Sequence, residues 1–171
     1  MGENDVLSDV KSDEQGQWRR WARGTTLGIF GLLVLAGLFG AFDQNRTVTQ
    51  TKDGIAVTIE YPYTTRAGAD VALDISVDST TELPETLDIV LDSEYTLFFE
   101  DFAISPAPSD EHTDTADRHH IMVTTGQSYS ARVIVDGRAA DAWSPSYTGT
   151  VNVGVGDSTS FEFSLKTWRL P

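Results

Sequence analysis

The chain contains no cysteine among its 171 residues. Disulfide bonds and thiolate metal sites are therefore excluded, and so is a lipid attached to an N-terminal cysteine. A chain of this length has room for one domain of ordinary size, whose core can be large enough to fold without covalent links. Any attachment to a membrane must then come from an apolar segment of the chain itself.

Positive charge is also scarce, and it is missing altogether from the middle of the chain. Twelve Lys and Arg stand against 26 Asp and Glu, which gives a formal net charge of −14. Residues 67–117 contain 14 Asp or Glu and no Lys or Arg. This balance disfavours nucleic acid as a partner. It fits solubility and repulsion from anionic lipid, or alternatively an acidic face for a basic partner or for cations.

One long apolar run stands near the N-terminus. Residues 24–42 are 19 uncharged residues in succession, and as a helix they would extend roughly 28 Å, the thickness of a bilayer core. The apolar part of a cleaved signal peptide is usually shorter, about 7–15 residues. Cleavage after Ala41 would also place the bulky Phe39 where a small residue is required. The run therefore predicts an uncleaved transmembrane helix.

The flanks of this run indicate its orientation. Residues 18–23 supply three Arg and two Trp directly before it, and an acidic region follows it. Because positive flanks stay in the cytoplasm, the C-terminal part is expected outside, and the two indole rings suit the inner interface. We predict a single-pass protein of the cell membrane with a cytoplasmic tail over 1–17, a basic flank and transmembrane helix over 18–42, and an extracytoplasmic domain over 43–171.

From Arg46 onward apolar and polar residues alternate, which is typical of half-buried strands. Asp53-Gly54 lies between two such runs and predicts a hairpin turn. Asp136-Gly137 and Gly156-Asp157 are predicted as turns between the last three strands. Seven or eight short strands without an amphipathic helix indicate an all-β fold, an antiparallel immunoglobulin-like β-sandwich preceded by the transmembrane helix. A small barrel is the alternative.

Two stretches of the outer part do not alternate. Residues 105–117 are predicted to form a long polar loop. Residues 95–104 are rich in aromatic side chains, which either fill the sandwich core or stay exposed as an anchor for a partner protein. On the second interpretation, the candidate contact residues are Phe98, Phe99, Phe102, Glu100 and Asp101.

The segment from Asp110 to His120 contains all three histidines and four carboxylates. Such ligands suit zinc, copper or nickel, but no pair has a recognised ligand spacing, so a solvated loop without a metal is expected. Ser109, His112 and Asp114 stand too close in sequence to converge as a catalytic triad. No nucleophile elbow, phosphate loop or dinucleotide fingerprint is present. We therefore expect no catalytic residues, no cofactor and no enzymatic activity.

The predicted anchor carries Gly24, Gly28 and Gly31 on one helix face. Small residues at this spacing allow a second helix to approach closely, which makes these glycines candidate helix contacts. The alternative is that glycine is simply frequent in membrane helices.

Several short motifs carry a resemblance that covers most of the chain. They are VTIEYP at 57–62, TRAG at 65–68, the aromatic stretch at 95–102, the Pro-x-Pro loop at 106–108 and KTWRLP at 166–171. Together with the basic flank and anchor, the chain resembles uncharacterised small actinobacterial single-pass membrane proteins with an extracytoplasmic β-sandwich domain. Small tethered subunits of similar architecture occur as accessory parts of actinobacterial respiratory assemblies. The resemblance brings no catalytic residue.

These observations favour a non-catalytic, membrane-anchored accessory or binding subunit of a larger membrane protein assembly, with an actinobacterial respiratory complex as one candidate. Its partners would be other membrane protein subunits, contacted through the helix and the outer domain. The alternative is a stand-alone cell-envelope binding module for a cation, a sugar or a peptide.

Overall fold

A computed structural model describes residues 13–38, 43–141, 144–156 and 159–170. The chain divides into two compact units, residues 1–41 and residues 42–171. The first contains helix α1 (Asp13–Leu38). The described part of the second contains the following elements: β1 (Gln44–Lys52), β2 (Ile55–Arg66), β3 (Asp70–Ser79), β4 (Thr86–Leu91), α2 (Ser93–Thr96), β5 (Phe99–Ser105), β6 (Asp110–Thr113), β7 (His119–Thr124), β8 (Ser130–Ala139), β9 (Ser146–Val155) and β10 (Thr159–Leu170).

Helix α1 is apolar over its second half, and its large apolar side chains are exposed, from 52% for Leu33 to 77% for Leu38. The hydroxyl groups of Thr25 and Thr26 donate to backbone carbonyls one turn earlier, at 3.0 and 2.8 Å, so their polarity is satisfied within the helix. The predicted transmembrane span continues into residues 39–42, which lie outside the described residues. Within the described ranges, no helix combines the length and the apolar character needed to cross a membrane.

The predicted hairpin at Asp53-Gly54 is confirmed. Strands β1 and β2 pair antiparallel from Lys52↔Ile55 outward. Asp53 and Gly54 have φ values of 53° and 78°, the left-handed backbone that a tight two-residue turn requires. A Cβ at Gly54 would also stand 2.5 Å from the Thr80 hydroxyl oxygen, so the Thr80 side chain would have to rotate.

The described strands follow the order β5-β8-β3-β2-β10-β9-β4-β7-β6, and β1 pairs with β2. Neighbours are antiparallel except β2 and β10, which pair in parallel over only three positions, Thr64–Arg66 with Trp168–Leu170. This short contact joins two antiparallel sheets, β1-β2-β3-β8-β5 and β10-β9-β4-β7-β6. The predicted antiparallel β-sandwich is therefore confirmed at the level of architecture, with ten described strands where seven or eight were expected.

One apolar core lies between the two sheets, and period-two alternation supplies it. Along β3, for example, Leu73 and Ile75 are fully buried, while Asp74 between them is on the other face of the strand and is half-buried. Both sheets contribute to a single cluster whose fully buried members include Val57, Ile59, Leu73, Ile75, Leu87, Ile89, Leu91, Tyr95, Phe98, Ile121, Val135, Ala139, Val151, Val153 and Leu165.

The prediction of a turn at Asp136-Gly137 is wrong, because β8 runs straight through both residues. The register between β5 and β8 shifts between Phe99 and Phe102, so β5 bulges there. A Cβ at Gly137 would stand 2.4 Å from the backbone oxygen of Asp101. This glycine marks a close approach of two backbones rather than a turn. Gly156, with φ of 66°, does follow β9, whereas Asp157 lies outside the described residues.

The prediction of a long polar loop over 105–117 is also wrong in part. Residues Asp110–Thr113 form β6, which pairs antiparallel with β7 so that His112 stands opposite His120. All four residues of β6 are exposed. An edge strand that is polar on both faces has no hydrophobic alternation, which explains why the pattern did not indicate it.

Candidate functional site

The β6–β7 hairpin carries all three histidines, and we call the group formed by Asp88, Asp110, Glu111, His112, Asp114, His119 and His120 the histidine surface. His112 and His120 are opposite each other across the two strands. Their rings stack with centroids 4.9 Å apart and planes inclined by only 4°. The hairpin therefore brings together residues that stand eight positions apart in sequence.

Carboxylates hold both rings of this stack. His112 Nδ1 lies 3.1 Å from Asp110 Oδ2, and the two ring nitrogens of His120 lie 3.4 Å from Asp88 and Asp114. Imidazole lone pairs lie in the ring plane, so two parallel stacked rings cannot direct them at one ion. Within the part of the chain that the structure describes, no group of three or more His, Cys, Asp or Glu is placed to hold a metal ion.

His119 projects from the opposite face of β7. Its Nε2 lies 2.9 Å from Glu111 Oε1, its Nδ1 lies 3.4 Å from the Thr113 hydroxyl, and its ring meets the edge of Phe102 at 5.4 Å. A hydroxyl, an imidazole and a carboxylate in this order can serve nucleophilic catalysis, but that role requires a close hydroxyl–imidazole hydrogen bond. At 3.4 Å the contact is at the outer limit, and these cross-strand bonds chiefly attach β6 to β7.

The residues considered for a triad do not meet. The Ser109 hydroxyl donates to the Met122 carbonyl at 3.0 Å, and His112 contacts Asp110. Asp114 instead organises the turn between β6 and β7. Its carboxylate accepts the backbone N–H groups of Ala116 and Arg118 at 2.8 and 2.9 Å, as well as the Arg118 guanidinium.

These bonds hold the pKa of Asp114 well below its usual range. The backbone N–H of Arg118 is the largest cause, followed by the Arg118 side chain and the N–H of Ala116. Because the folded-state pKa lies below the unfolded value, ionised Asp114 stabilises the turn above the unfolded pKa of about 4, and this contribution is lost as the pH falls further.

We expect Asp114→Asn to remove that acid dependence. The amide keeps one acceptor oxygen but carries no charge, so the turn should be weaker at neutral pH and nearly unchanged on acidification below about pH 4. Amide hydrogen exchange at Ala116 and Arg118, followed against pH, measures this. Asp117→Asn is the matched control, because the Asp117 side chain accepts no hydrogen bond from any of the described residues. Equal profiles for the two variants would contradict the role given to Asp114.

Two of the aromatic partner candidates are core residues. Phe98 is fully buried and Phe99 is 6% exposed, with ring centroids 5.0 Å apart. Asp92 caps α2 by accepting the N–H of Glu94, and this short helix turns the chain so that Tyr95 and Phe98 point into the sandwich. Tyr95 and Phe98 are three residues apart, a spacing that places side chains on one face of a helical turn. This spacing is the signal in the sequence that could have indicated that both rings are buried.

The other three candidates remain accessible. Phe102 is half-buried, and Glu100 and Asp101 are exposed on the β5 bulge opposite Gly137. A bulge redirects side chains at a sheet edge. The partner surface proposed from the sequence is thereby reduced to these three residues.

The glycines of α1 face open space in the described structure. A Cβ added at Gly24, Gly28 or Gly31 would meet nothing within 4 Å. Contact of these glycines with another helix stays a prediction.

The sequence did not indicate a groove of about 900 Å³ at the end of the sandwich where β2 finishes. We call it the Arg66 groove. Arg66 forms an ion pair with Asp43 at 3.0 Å on its rim. Its other charged lining residues come from β3, β5 and β8, segments far apart in the chain, which is why no local motif revealed them: Asp70, Asp101, Asp136 and Arg138. Two guanidinium groups beside four carboxylates suit a polar ligand.

Comparisons with known proteins provide no family. No protein-family model and no curated protein matches the chain. Among solved structures, the bacterial hydrophobin BslA matches with 8% identity and a TM-score of 0.41, covering 74% of this chain and 98% of that one. The major subunit MyfA of Myf fimbriae from Yersinia enterocolitica matches with 12% identity and a TM-score of 0.40, over 72% and 96%. ACE19, the collagen-binding subdomain of an Enterococcus faecalis surface protein, matches with 8% identity and a TM-score of 0.32, over 75% and 95%. Likenesses this distant say nothing about function.

Proposed function

We propose that the protein is a non-catalytic, membrane-anchored accessory or binding subunit of a larger membrane protein assembly. Its immunoglobulin-like sandwich would lie outside the cytoplasm and act by contact, and a respiratory complex is one candidate assembly. No chemistry is assigned to the histidine surface, whose side chains serve to attach an edge strand.

The observation that carries the proposal is the exposure of α1. Ten of its large apolar side chains are more than half exposed, and the sandwich has its own closed core. The second half of α1 carries apolar side chains on all sides, and such a segment needs an apolar surrounding, which lipid and neighbouring helices both provide. Residues 18–23 carry the arginines and tryptophans that would anchor its first turns at the headgroups.

Purification in a mild detergent tests this proposal. The tagged full-length chain should sediment with membranes in the absence of detergent and should then co-purify with other membrane proteins in fixed stoichiometry. Recovery from the soluble fraction would overturn the attachment. Recovery from the membrane as a lone chain would favour the second candidate below.

Gly28→Leu should reduce this co-purification while the outer domain stays folded. Leucine adds bulk on a face where backbones approach closely, and lipid tails accept leucine as well as glycine, so insertion should not change. Leu33→Ile, a change of shape without added volume on the same helix, is the control. Unchanged recovery of partners with Gly28→Leu would show that another surface makes the contact.

The Arg66 groove favours a second candidate, a stand-alone envelope binding module for a polar ligand such as a cation, a sugar or a peptide. Its mixed charges and its volume fit such ligands better than an apolar one. Ligand screening by thermal shift, comparing the native chain with Arg138→Gln, discriminates the two functions. A ligand whose stabilisation disappears in Arg138→Gln, together with purification as a lone chain, would support this candidate.

A further inference from the structure

The few cations of the second unit gather at one end of the sandwich. Residues 43–171 contain eight Lys or Arg, and five of them lie where β1 begins and where β2, β8 and β10 end. Backbone bonds bring these chain ends together, from Ala67 N to Leu170 O at 3.1 Å and from Gly68 N to Ala139 O at 2.8 Å. The five residues, which we call the cationic end, are Arg46, Arg66, Arg138, Lys166 and Arg169.

Aromatic rings accompany these cations. Lys166 Nζ lies 4.1 Å from the ring centroid of Trp168, and the Arg46 guanidinium lies 5.6 Å from that of Tyr63. Trp168 is 40% exposed, because it stands with Lys166 on the outward-facing positions of β10, whose residues alternate between exposed and buried. Neither Lys166 nor Arg46 forms an ion pair with any carboxylate of the described residues, so both charges are free for an external anion.

Sheet register places this group beside the start of the domain. Gln44 pairs with Thr64, and Thr64 pairs with Trp168. At about 4.8 Å between neighbouring strands, the Trp168 backbone is about 10 Å from Gln44. Gln44 stands two residues after Phe42, where the proposed membrane segment ends, so this end of the sandwich is the part of the domain that follows that segment directly along the chain.

We propose that the cationic end, with Lys166, Trp168, Arg46 and Tyr63 as its contact residues, docks on an anionic phospholipid surface. This inference rests on the membrane attachment proposed above. Trp and Tyr prefer the headgroup region, and Lys and Arg beside them are attracted to anionic lipid. Of the carboxylates at this end, Asp43 is paired with Arg66, Asp70, Asp101 and Asp136 line the Arg66 groove, and Asp141 lies beside Gly68; none of the five stands on β1, β2 or β10, the strands that carry the contact residues. The rest of the domain is acidic and would be repelled, which orients it with this end toward the lipid.

Fluorescence of Trp168 tests the docking. A full-length variant with Trp18, Trp21 and Trp143 replaced by Phe keeps Trp168 as its one indole. It is reconstituted into vesicles of phosphatidylcholine, with or without phosphatidylglycerol, that contain brominated acyl chains as quenchers. We expect Trp168 to be quenched in the anionic vesicles, much less in the neutral ones, and less again as salt screens the attraction.

Lysine substitutions provide matched variants, because Lys52 and Lys166 are the only lysines of the domain. Lys52 lies at the far end of β1, beside the hairpin turn. Lys166→Gln should lower the ratio of docked to undocked domains about fivefold, and Arg46→Gln should do the same without touching the Trp168 ring, whereas Lys52→Gln should have no effect. Equal effects of the two lysine changes would overturn the proposal.

Flotation with vesicles distinguishes a failure of the docking from a failure of the membrane attachment. A chain that floats with both kinds of vesicle, but whose Trp168 is quenched in neither, refutes the docking and leaves the attachment in place. A chain that floats with neither refutes the attachment and the docking together. Shielding of Trp168 only in the presence of a co-purified protein would assign this end to a protein partner and overturn the lipid proposal.

Discussion

Replacing Phe98 by alanine should destabilise the outer domain by about 3–5 kcal/mol, the usual cost of deleting a large buried aromatic side chain. Phe98 is fully buried. Its ring packs against Tyr95, Phe99 and Tyr147 with centroid distances of 5.8, 5.0 and 5.6 Å. Removal of the ring leaves a cavity that all three neighbours line, and the rigid strands around them limit how far they can close it.

The neighbouring residue provides the control. Leu97 is 68% exposed, so Leu97→Ala should change stability by no more than about 0.5 kcal/mol. Thermal unfolding of the full-length chain in mild detergent, followed through its β-type circular dichroism, measures both variants. A loss of partner recovery with unchanged stability in Phe98→Ala would restore the interpretation of this ring as a partner contact.

Most of the fold could be predicted from the alternation of apolar and polar residues. It predicted the strands that line the core, because a buried face imposes a strict period of two on a strand such as β3. The hairpin at Asp53-Gly54 was predictable because very few residue pairs adopt two successive positive φ angles. The two-sheet arrangement followed from the number and shortness of these strands.

Features that depend on tertiary contacts were not predictable in this way. Strand β6 exists because β7 offers it an edge, and nothing in its own polar residues requires an extended conformation. The Asp136-Gly137 pair resembles a turn signal, yet its glycine serves the bulge of a strand more than thirty residues earlier. In each case the conformation depends on another strand, so the residue pattern of the segment itself does not indicate it.

The same reasoning applies to the sites. The histidines are conspicuous because they are crowded in sequence, whereas the structure places His112 and His120 on one face of the β6–β7 hairpin and His119 on the other, and engages each with a carboxylate. The cationic end and the Arg66 groove are inconspicuous in sequence, since their residues come from six strands. Only the register that links Gln44, Thr64 and Trp168 brings them together.

The β5 bulge gives the second large effect. Gly137→Ala should destabilise the domain by about 1–3 kcal/mol, toward the upper end of the range for overpacking. The added Cβ would stand 2.4 Å from the backbone oxygen of Asp101 and 2.8 Å from Phe99 Cδ1. The Asp101 oxygen belongs to the backbone, between the paired residues Phe99 and Phe102, and it cannot move aside as the end of a flexible side chain can. Relief therefore requires a shift of the bulge and of Glu100 and Asp101, which it exposes.

Gly154→Ala is the matched control, because Gly154 also lies inside a strand and has an ordinary φ. Its new Cβ would stand 3.4 Å from the Asp88 oxygen, an ordinary contact, and the loss of backbone freedom in the unfolded chain should leave stability unchanged or raise it by up to about 1 kcal/mol. Unfolding of both variants in urea measures the difference. If the two alanines cost the same, close packing against the bulge is not what requires glycine at 137. If Gly137→Ala is destabilising and also weakens partner recovery while Gly154→Ala does neither, the bulge has a second role, that of holding Glu100 and Asp101 toward the partner.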